Sequence, residues 1–354
     1  MKNRGRTRSR LSIVLAGCVC LPGCSSQPAN YTNTGPATIA YVWGDNYPTY
    51  DGGPAQTVLA YSTTQLQASS PLGALTLPTT CNGGPIVMDS LGQLYIGCFS
   101  SSGPPQILVY APNSTGEASP SRTIQMGSSS YEITTLTVDA NGLLYVGALE
   151  PEPETTNTVQ FTLTVYASGA RGQAAPLRTI ALRANNGLID VALDAVGNIY
   201  VAGYPPYVRD EPPVSYVDVY SSDPFLSAPV RTIDFPFFIY GVGADDTGNV
   251  YVSAGTVTDT QVSALEEFAP DASGYASPIN IINLPEPLAG LEMGGGPVRL
   301  DGAGNIFTPV AMCTSPCTNG SYMLYRFAAP AFAKAIPVAL IAPKEGYNTS
   351  FALN

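Results

Sequence analysis

Aromatic side chains beside short polar groups are the residues of this sequence best suited to bind a ligand. They occur in long, proline-containing segments, where stacking on rings combines with hydrogen bonding to suit glycans or extended peptides. The alternative for each tyrosine is simple packing within its own loop. The candidate ligand-binding residues are Trp43, Tyr47, Tyr50, Tyr204, Tyr207, Arg209 and Tyr240.

Histidine is absent from the sequence. Its absence excludes histidine-based triads, histidine general bases and imidazole metal sites. Acidic residues outnumber basic ones by 26 to 15, and removal of the first 23 residues leaves ten basic residues and a formal charge of −16. Phosphate backbones require clustered Lys and Arg, so we expect no nucleic-acid partner. We predict no catalytic residue and no cofactor.

The N-terminus has the pattern of an export signal. Five basic residues and no acid lie in the first ten positions, and an apolar run follows from Leu11 to Leu21. A basic segment before a short apolar run is typical of a signal peptide, and the run is too short to span a bilayer as a helix. We therefore expect residues 1–23 to be removed and residues 24–36 to form a flexible polar tether.

Two tetrapeptides near the end of this run resemble the bacterial lipobox, whose cysteine is acylated and becomes the new N-terminus. They are Leu15-Ala16-Gly17-Cys18 and Leu21-Pro22-Gly23-Cys24. We favour Cys24 because it leaves the fuller apolar run and four downstream cysteines, and Cys18 is the alternative. An ordinary secretory signal with incidental cysteines also remains open. The resemblance implies a lipid anchor in the bacterial cell envelope, and Ser25 after the acylated position implies the outer membrane.

One sequence pattern recurs about every 50 to 60 residues from residue 37 onwards. An apolar strand ends in Asp-x-x-Gly, a strand with an aromatic residue follows, a third strand ends in Tyr or Phe, and a fourth often reads Arg-Thr-Ile. Asp accepts backbone hydrogen bonds in such turns, and Gly takes the positive φ that they need. The turns begin at Asp89, Asp139, Asp194, Asp245 and Asp301, and the aromatics are Tyr41, Tyr95, Tyr145, Tyr200, Tyr251 and Phe307.

Four-stranded units of this kind cannot cover their own faces, so they must stack as an open solenoid or a closed ring. The first copy lacks an inner strand, and the last residues, 350–354, match the missing one. We therefore predict an all-β, six-bladed β-propeller over residues 37–354. It has four antiparallel strands per blade, and the C-terminal strand completes blade one. Closure removes exposed edges. The alternative is a frayed polar tail.

The Asp-x-x-Gly unit followed by an apolar residue and Tyr-Val is similar to NHL-repeat and TolB-like six-bladed propellers. The resemblance covers essentially all of the chain after the tether. The repeated Arg122, Arg178 and Arg231 occupy equivalent outer-strand positions. They are expected to serve the scaffold by discouraging edge pairing and by ion-pairing with a neighbouring blade.

Propeller topology divides the molecule into two faces. The Asp-x-x-Gly turns form one face, here called the turn face. The longer connections between second and third strands form the other, called the loop-rich face, where binding residues usually lie. Cys81 and Cys98 both fall on the loop-rich side, and a disulfide between them would contribute about 3 kcal/mol. A second disulfide, Cys313–Cys317, is predicted within one loop, and an exported compartment permits both.

Three functional hypotheses follow. The favoured one is a non-catalytic binding propeller for a glycan or peptide. The second is a metal-dependent hydrolase of the lactonase type, a chemistry hosted by six-bladed propellers, with calcium as the fitting cation. Arg299 on an inner strand argues against a cation there. The third is a structural platform for another envelope protein. Candidate oxygen ligands under the second hypothesis are Asn82, Glu132, Asp190 and Glu292.

Overall fold

The computed structural model of the chain describes most residues after position 36. For residues 283, 291–294, 311–314, 320–322, 338–339 and 344–345 only the backbone is described. The described ranges are 37–43, 56–65, 70–99, 103–127, 132–150, 160–206, 214–223, 225, 227–254, 264–283, 291–294, 296–314, 320–328, 338–339, 344–345 and 350–353.

The described strands form six antiparallel sheets, which are the six blades of a propeller. Each sheet has four strand positions, as predicted. Blades one to three contain β1 (Ile39–Trp43), β2 (Thr57–Ser62), β3 (Gly73–Thr76), β4 (Ile86–Met88), β5 (Leu94–Cys98), β6 (Gln106–Tyr110), β7 (Arg122–Gln125), β8 (Glu132–Val138), β9 (Leu144–Glu150), β10 (Gln160–Tyr166) and β11 (Arg178–Ala181).

Blade six differs from the others because its inner and outer positions are each divided between two short strands. The inner pair both bond to one second strand, and the outer pair both bond to one third strand. The remaining elements are β12 (Gly187–Leu193), β13 (Ile199–Tyr204), β14 (Ser215–Tyr220), β15 (Arg231–Phe235), β16 (Ile239–Ala244), β17 (Val250–Ala254), β18 (Ala264–Phe268), β19 (Asn280–Asn283), β20 (Leu291–Gly294), β21 (Arg299–Leu300), β22 (Ile306–Thr314), β23 (Gly320–Phe327), β24 (Val338–Ala339), β25 (Lys344–Glu345) and β26 (Phe351–Leu353).

The C-terminal strand closes the ring. β26 pairs antiparallel with β1, with Tyr41 opposite Ala352. The Ile86 N–H donates to Ser350 Oγ at 2.9 Å, which joins blade one to blade two. On the other side, the Ala37 N–H donates to Asp301 Oδ2 at 2.9 Å and joins blade six to blade one. The predicted closure is confirmed.

Hydrophobic side chains fill the space between neighbouring blades rather than one central core. The described residues form six buried clusters, and each cluster draws on two adjacent blades. At the closure, Phe351 and Val42 of blade one pack with Phe307 and Leu324 of blade six. Each blade therefore depends on its neighbours for burial of its faces, as expected for stacked repeats.

The repeated turns have the predicted geometry. Asp89 Oδ1 accepts the N–H groups of Leu91 and Gln93 at 3.0 and 2.8 Å. Gly92 closes the turn with φ of 79°, a conformation that glycine adopts without steric cost. The equivalent Gly in the other four turns also has positive φ, between 76° and 85°.

The turn aspartate has a second partner that the sequence pattern did not reveal. The Tyr95 hydroxyl donates to Asp89 Oδ2 at 3.1 Å and accepts from Arg122 Nη2 at 2.7 Å. Burial and the nearby carboxylate raise the pKa of Tyr95 to about 12, so it stays a neutral donor at ordinary pH. The turn aspartate, the strand aromatic and the outer-strand arginine are therefore one connected unit within a blade.

Two of the three repeated arginines, Arg122 and Arg231, form contacts other than the expected interblade ion pairs. Arg122 and Arg231 lie over the rings of tyrosines in their own blades, at 5.4 and 5.8 Å from the centroids. Arg231 also donates to the Ala272 carbonyl of the next blade at 2.6 Å. Two other arginines, Arg183 and Arg299, form ion pairs with aspartates. Cation–π contact and carbonyl hydrogen bonding thus replace the predicted interblade ion pairs at these positions.

Outer strands are covered by loops of the following blade. Gly116, Gly172 and Gly274 each form a bridge with the outer strand of the preceding blade. Each has φ near 60°, so the chain can turn and present its backbone groups to that edge. Thr76 N–H donates to the Gly116 carbonyl at 2.7 Å, and the Gly116 N–H donates back to Ala74 at 2.7 Å. These contacts satisfy edge groups that would otherwise be free to pair with another chain.

The predicted Cys81–Cys98 disulfide is present, with a Cα–Cα separation of 4.8 Å. Both cysteines are buried. The bond ties the segment before β4 to the end of β5 on the loop-rich face. Of the second predicted disulfide, Cys317 and the side chain of Cys313 lie outside the described residues.

Replacement of Phe351 tests the closure. Phe351 is 2 % exposed, so we expect Phe351→Ala to lower the free energy of unfolding by about 3–5 kcal/mol, as for other buried Phe truncations. Urea denaturation of the full chain measures this change. Phe225→Ala is the matched control because Phe225 is 91 % exposed, and it should change stability by less than about 0.5 kcal/mol. Equal stability of the two variants would contradict closure by β26.

Candidate binding surface on the loop-rich face

Three aromatic rings form a continuous patch on the loop-rich face beside the central channel. Tyr204 ends β13, and Phe238 and Tyr240 lie at the start of β16. The centroid of Phe238 is 5.4 Å from that of Tyr204 and 5.2 Å from that of Tyr240. Tyr204 is 36 % exposed. We call these three residues the aromatic patch.

Glycines beneath the tyrosine rings make this arrangement possible. A Cβ at Gly187 would lie 2.1 Å from Tyr204 Cζ, and one at Gly203 would lie 2.6 Å from the Tyr216 hydroxyl. Gly187 and Tyr204 are direct partners across β12 and β13. Any larger residue at either glycine would push a ring away from the strand, so the two glycines hold these rings flat against the blade.

Bulges shape the inner strands at the same level. The register shifts between Ile133 and Thr135 in β8, between Leu188 and Asp190 in β12, and between Ile239 and Gly241 in β16. A bulge leaves one residue out of the ladder and redirects its side chain. In β16 that residue is Tyr240, whose pKa is raised by burial, so its hydroxyl stays protonated.

A polar cluster surrounds Tyr216 on the other face of blade four, because Tyr216 pairs with Gly203 and not with Tyr204. The Arg183 guanidinium lies 4.1 Å from the centre of the Tyr216 ring, and Asn186 Nδ2 donates to its hydroxyl at 3.1 Å. Arg183 Nε donates to Asp218 at 2.7 Å, while its side chain remains 42 % exposed. The loop-rich end of blade four therefore carries exposed ring surface toward blade five and fixed polar donors toward blade three, and small polar ligands use both kinds of group.

An ion pair occupies the central channel and joins four blades. Arg299 donates to both oxygens of Asp190, at 2.8 and 3.0 Å. Asp190 also accepts from the Thr135 hydroxyl at 3.2 Å and from the Val242 N–H at 3.3 Å. Asp190 is 2 % exposed, so its oxygens are used by the protein itself.

The proposed calcium ligands do not come together as a site in the described part of the molecule. Asp190 is committed to Arg299, and Glu132 is exposed with a pKa raised by partial burial. Asn82 lies next to the disulfide at Cys81, and the side chain of Glu292 lies outside the described residues. Within the described ranges, no group of three or more His, Cys, Asp or Glu could hold a metal.

The remaining sequence candidates divide into two groups. Trp43 is described and is 4 % exposed, with Nε1 donating to the Gly84 carbonyl at 2.9 Å, so its indole belongs to the contact between blades one and two. The rest of the candidates lie outside the described residues, so their predicted roles stay predictions. They are Cys18, Cys24, Tyr47, Tyr50, Tyr207 and Arg209.

Sequence reasoning did not single out Phe238, Asn186 or Arg183. Phe238 could have been found from the sequence, because four aromatic residues lie within the six positions 235–240. Asn186 and Arg183 carry no comparable signal, since their role depends on contacts with Tyr216 in the following blade.

No family model matches the chain, and no curated protein matches it. Solved structures resemble it at low sequence identity. A COPII outer coat vertex has a TM-score of 0.46 and 10% identity, with coverage of 88% of this chain and 84% of that one. An ulvan lyase has a TM-score of 0.44 and 8% identity, and the match covers 86% of this chain and 82% of that one. A six-bladed, fucose-recognising lectin of Aleuria aurantia has a TM-score of 0.41 and 12% identity, and the match covers 89% of this chain and 98% of that one.

These scores are too low to transfer an activity to this chain. Across the ranges that the structure describes, no helix has the length and apolar character needed to cross a membrane.

A double-mutant cycle tests the role of the channel ion pair. Asp190→Ala should lower the free energy of unfolding by about 3–5 kcal/mol, because it leaves the Arg299 charge and the Val242 N–H without their acceptor. A double variant that also carries Arg299→Met should recover part of this loss. Urea denaturation should give a coupling free energy above about 1 kcal/mol between the two substitutions. The exposed Asp246→Ala is the control and should be neutral. Additive effects of the two channel substitutions would contradict the assignment.

Proposed function

We propose that this protein is an extracytoplasmic binding propeller that captures a glycan or an extended peptide on its loop-rich face. The aromatic patch carries the proposal, because Phe238 contacts both Tyr204 and Tyr240 and all three rings remain at least partly exposed. Tyrosine supplies large contact area with few rotatable bonds and a polar end, which favours recognition of polar ligands. The channel carboxylate that a hydrolytic metal centre would require is instead paired with Arg299.

We also propose that an acylated cysteine holds this propeller at the bacterial outer membrane. The basic N-terminal segment, the short apolar run and the sequence Leu21-Pro22-Gly23-Cys24 support the anchor. The Cys81–Cys98 disulfide supports an oxidising compartment. Residues 24–36 would act as the tether, and the Asp-x-x-Gly repeat supports kinship with NHL and TolB-like propellers as part of the same proposal.

Substitution of two patch tyrosines tests ligand capture. The double variant Tyr204→Ala with Tyr240→Ala should weaken retention on glycan or peptide arrays by about tenfold or more, since buried tyrosines at interfaces each contribute above about 1 kcal/mol. Tyr275→Ala is the matched control because Tyr275 is 74 % exposed on the opposite face, after β18. Tyr204→Phe should retain most binding if the ring is the contact.

Two array results would overturn this proposal. One is unchanged retention by the double variant with an unchanged melting temperature. The other is failure of the unsubstituted full chain to retain any glycan or peptide.

Metabolic labelling with an alkyne-tagged fatty acid tests the anchor. Cys24→Ser should abolish the label and release the protein from the membrane fraction, while Cys18→Ser should keep both. The reverse pattern would move the acylation site to Cys18. If neither the parent chain nor either variant takes up the label, lipid anchoring is contradicted.

A further inference from the structure

A cavity of about 810 Å³ lies at the turn-face end of the central channel, opposite the aromatic patch. All five Asp-x-x-Gly turns contribute to its lining. Its volume is within the roughly 300–1,000 Å³ that small-molecule sites occupy in proteins.

Six apolar side chains form a ring in this cavity, one from each blade. Each is the last residue of an inner strand and remains partly exposed. Each also packs against a buried cluster between blades, and the part of its surface that stays exposed lines the cavity. The ring consists of Met88, Val138, Leu193, Ala244, Leu300 and Leu353.

Carboxylates surround the same cavity, and none of its lining residues is Lys or Arg. The turn aspartates accept hydrogen bonds from backbone N–H groups of their own turns. For Asp245, burial opposes ionisation, but hydrogen bonds from Asn249, Thr247 and Tyr251 outweigh it and lower its pKa. The acidic residues are Asp89, Asp139, Asp194, Asp245, Asp246 and Asp301.

The nearest basic side chain in sequence to the ring is Arg299, which precedes Leu300. Its charge is compensated by the bidentate contact with Asp190 at 2.8 and 3.0 Å. Among the described lining residues, the cavity therefore presents apolar surface surrounded by carboxylates, and Arg122, which is linked to Asp89 through Tyr95, lies outside that lining.

We propose that this cavity binds a small organic cation with an apolar body, such as an alkyl- or arylammonium compound. The apolar body would cover the six-residue ring, and the cationic group would lie among the turn carboxylates. This site is separate from the aromatic patch, and its existence does not depend on the function proposed for the loop-rich face.

Other ligand classes fit this cavity less well. A bare metal ion needs carboxylate oxygens for direct coordination, whereas both oxygens of Asp194 and of Asp245 already accept hydrogen bonds within their turns. An anion would be repelled by the acidic rim. A neutral apolar molecule would use the ring but gain nothing from the charge.

Three probes of matched size separate these cases: benzylammonium, benzyl alcohol and benzoate. Titration of the purified full chain, followed by saturation-transfer NMR, gives their affinities. We expect benzylammonium to bind at least about tenfold more tightly than benzyl alcohol and benzoate not to bind. Raising the salt concentration should weaken benzylammonium binding, because partly exposed charges are screened.

Two substitutions locate the binding. Ala244→Phe should fill the cavity and lower benzylammonium affinity at least tenfold, since Ala244 is the smallest member of the ring. Asp246→Asn removes one exposed charge and should lower affinity about threefold without disturbing the fold. Tyr275→Ala controls for cation–π contact with an exposed tyrosine on the same face and should have no effect.

The proposal is overturned if benzoate binds as tightly as benzylammonium, or if benzylammonium does not bind. It is also overturned if both Ala244→Phe and Asp246→Asn leave its affinity unchanged. Loss of glycan or peptide binding by the aromatic-patch variants, with benzylammonium affinity retained, would show that the two sites are independent.

Discussion

The antiparallel pairing of β26 with β1 is the constraint on which the whole structure depends. Those strands lie at opposite ends of the described chain, and their pairing supplies blade one with its inner strand. Phe351 then completes the hydrophobic cluster between blades six and one, and Ser350 accepts a hydrogen bond from blade two. Because every blade relies on two neighbours to cover its faces, a defect at this one joint would expose apolar surface on both sides of it.

The fold was largely predictable because its signals are local and repeated. The Asp-x-x-Gly turn depends on the hydrogen-bonding ability of Asp and the positive φ of Gly, and both are properties of single residues. Blade number and the closing strand followed from counting these turns. The link from Tyr95 to both Asp89 and Arg122 was not predictable, since those residues are separated in sequence and meet only when the blade forms. The loop glycines that cover outer strands, such as Gly116, were missed for the same reason.

The candidate site was less predictable than the fold. The sequence put Tyr204 and Tyr240 in one candidate set, and Phe238 connects them in the structure, but residue type could not distinguish them from Trp43, which packs between blades. The difference depends on which glycine lies under each ring and on the bulge in β16, and neither is visible in residue type alone. Asp190 was a candidate metal ligand only under the alternative hypothesis, and its partner Arg299 could not be foreseen because it lies 109 positions further along the chain.

The hydrogen bond from Ala37 to Asp301 determines from which side the preceding segment departs. Asp301 begins one of the Asp-x-x-Gly turns, so the polypeptide enters the wheel at its turn face. The propeller is therefore entered on the face opposite the aromatic patch. One hydrogen bond, from the main-chain N–H of the first described residue to a side-chain carboxylate of blade six, fixes this entry point.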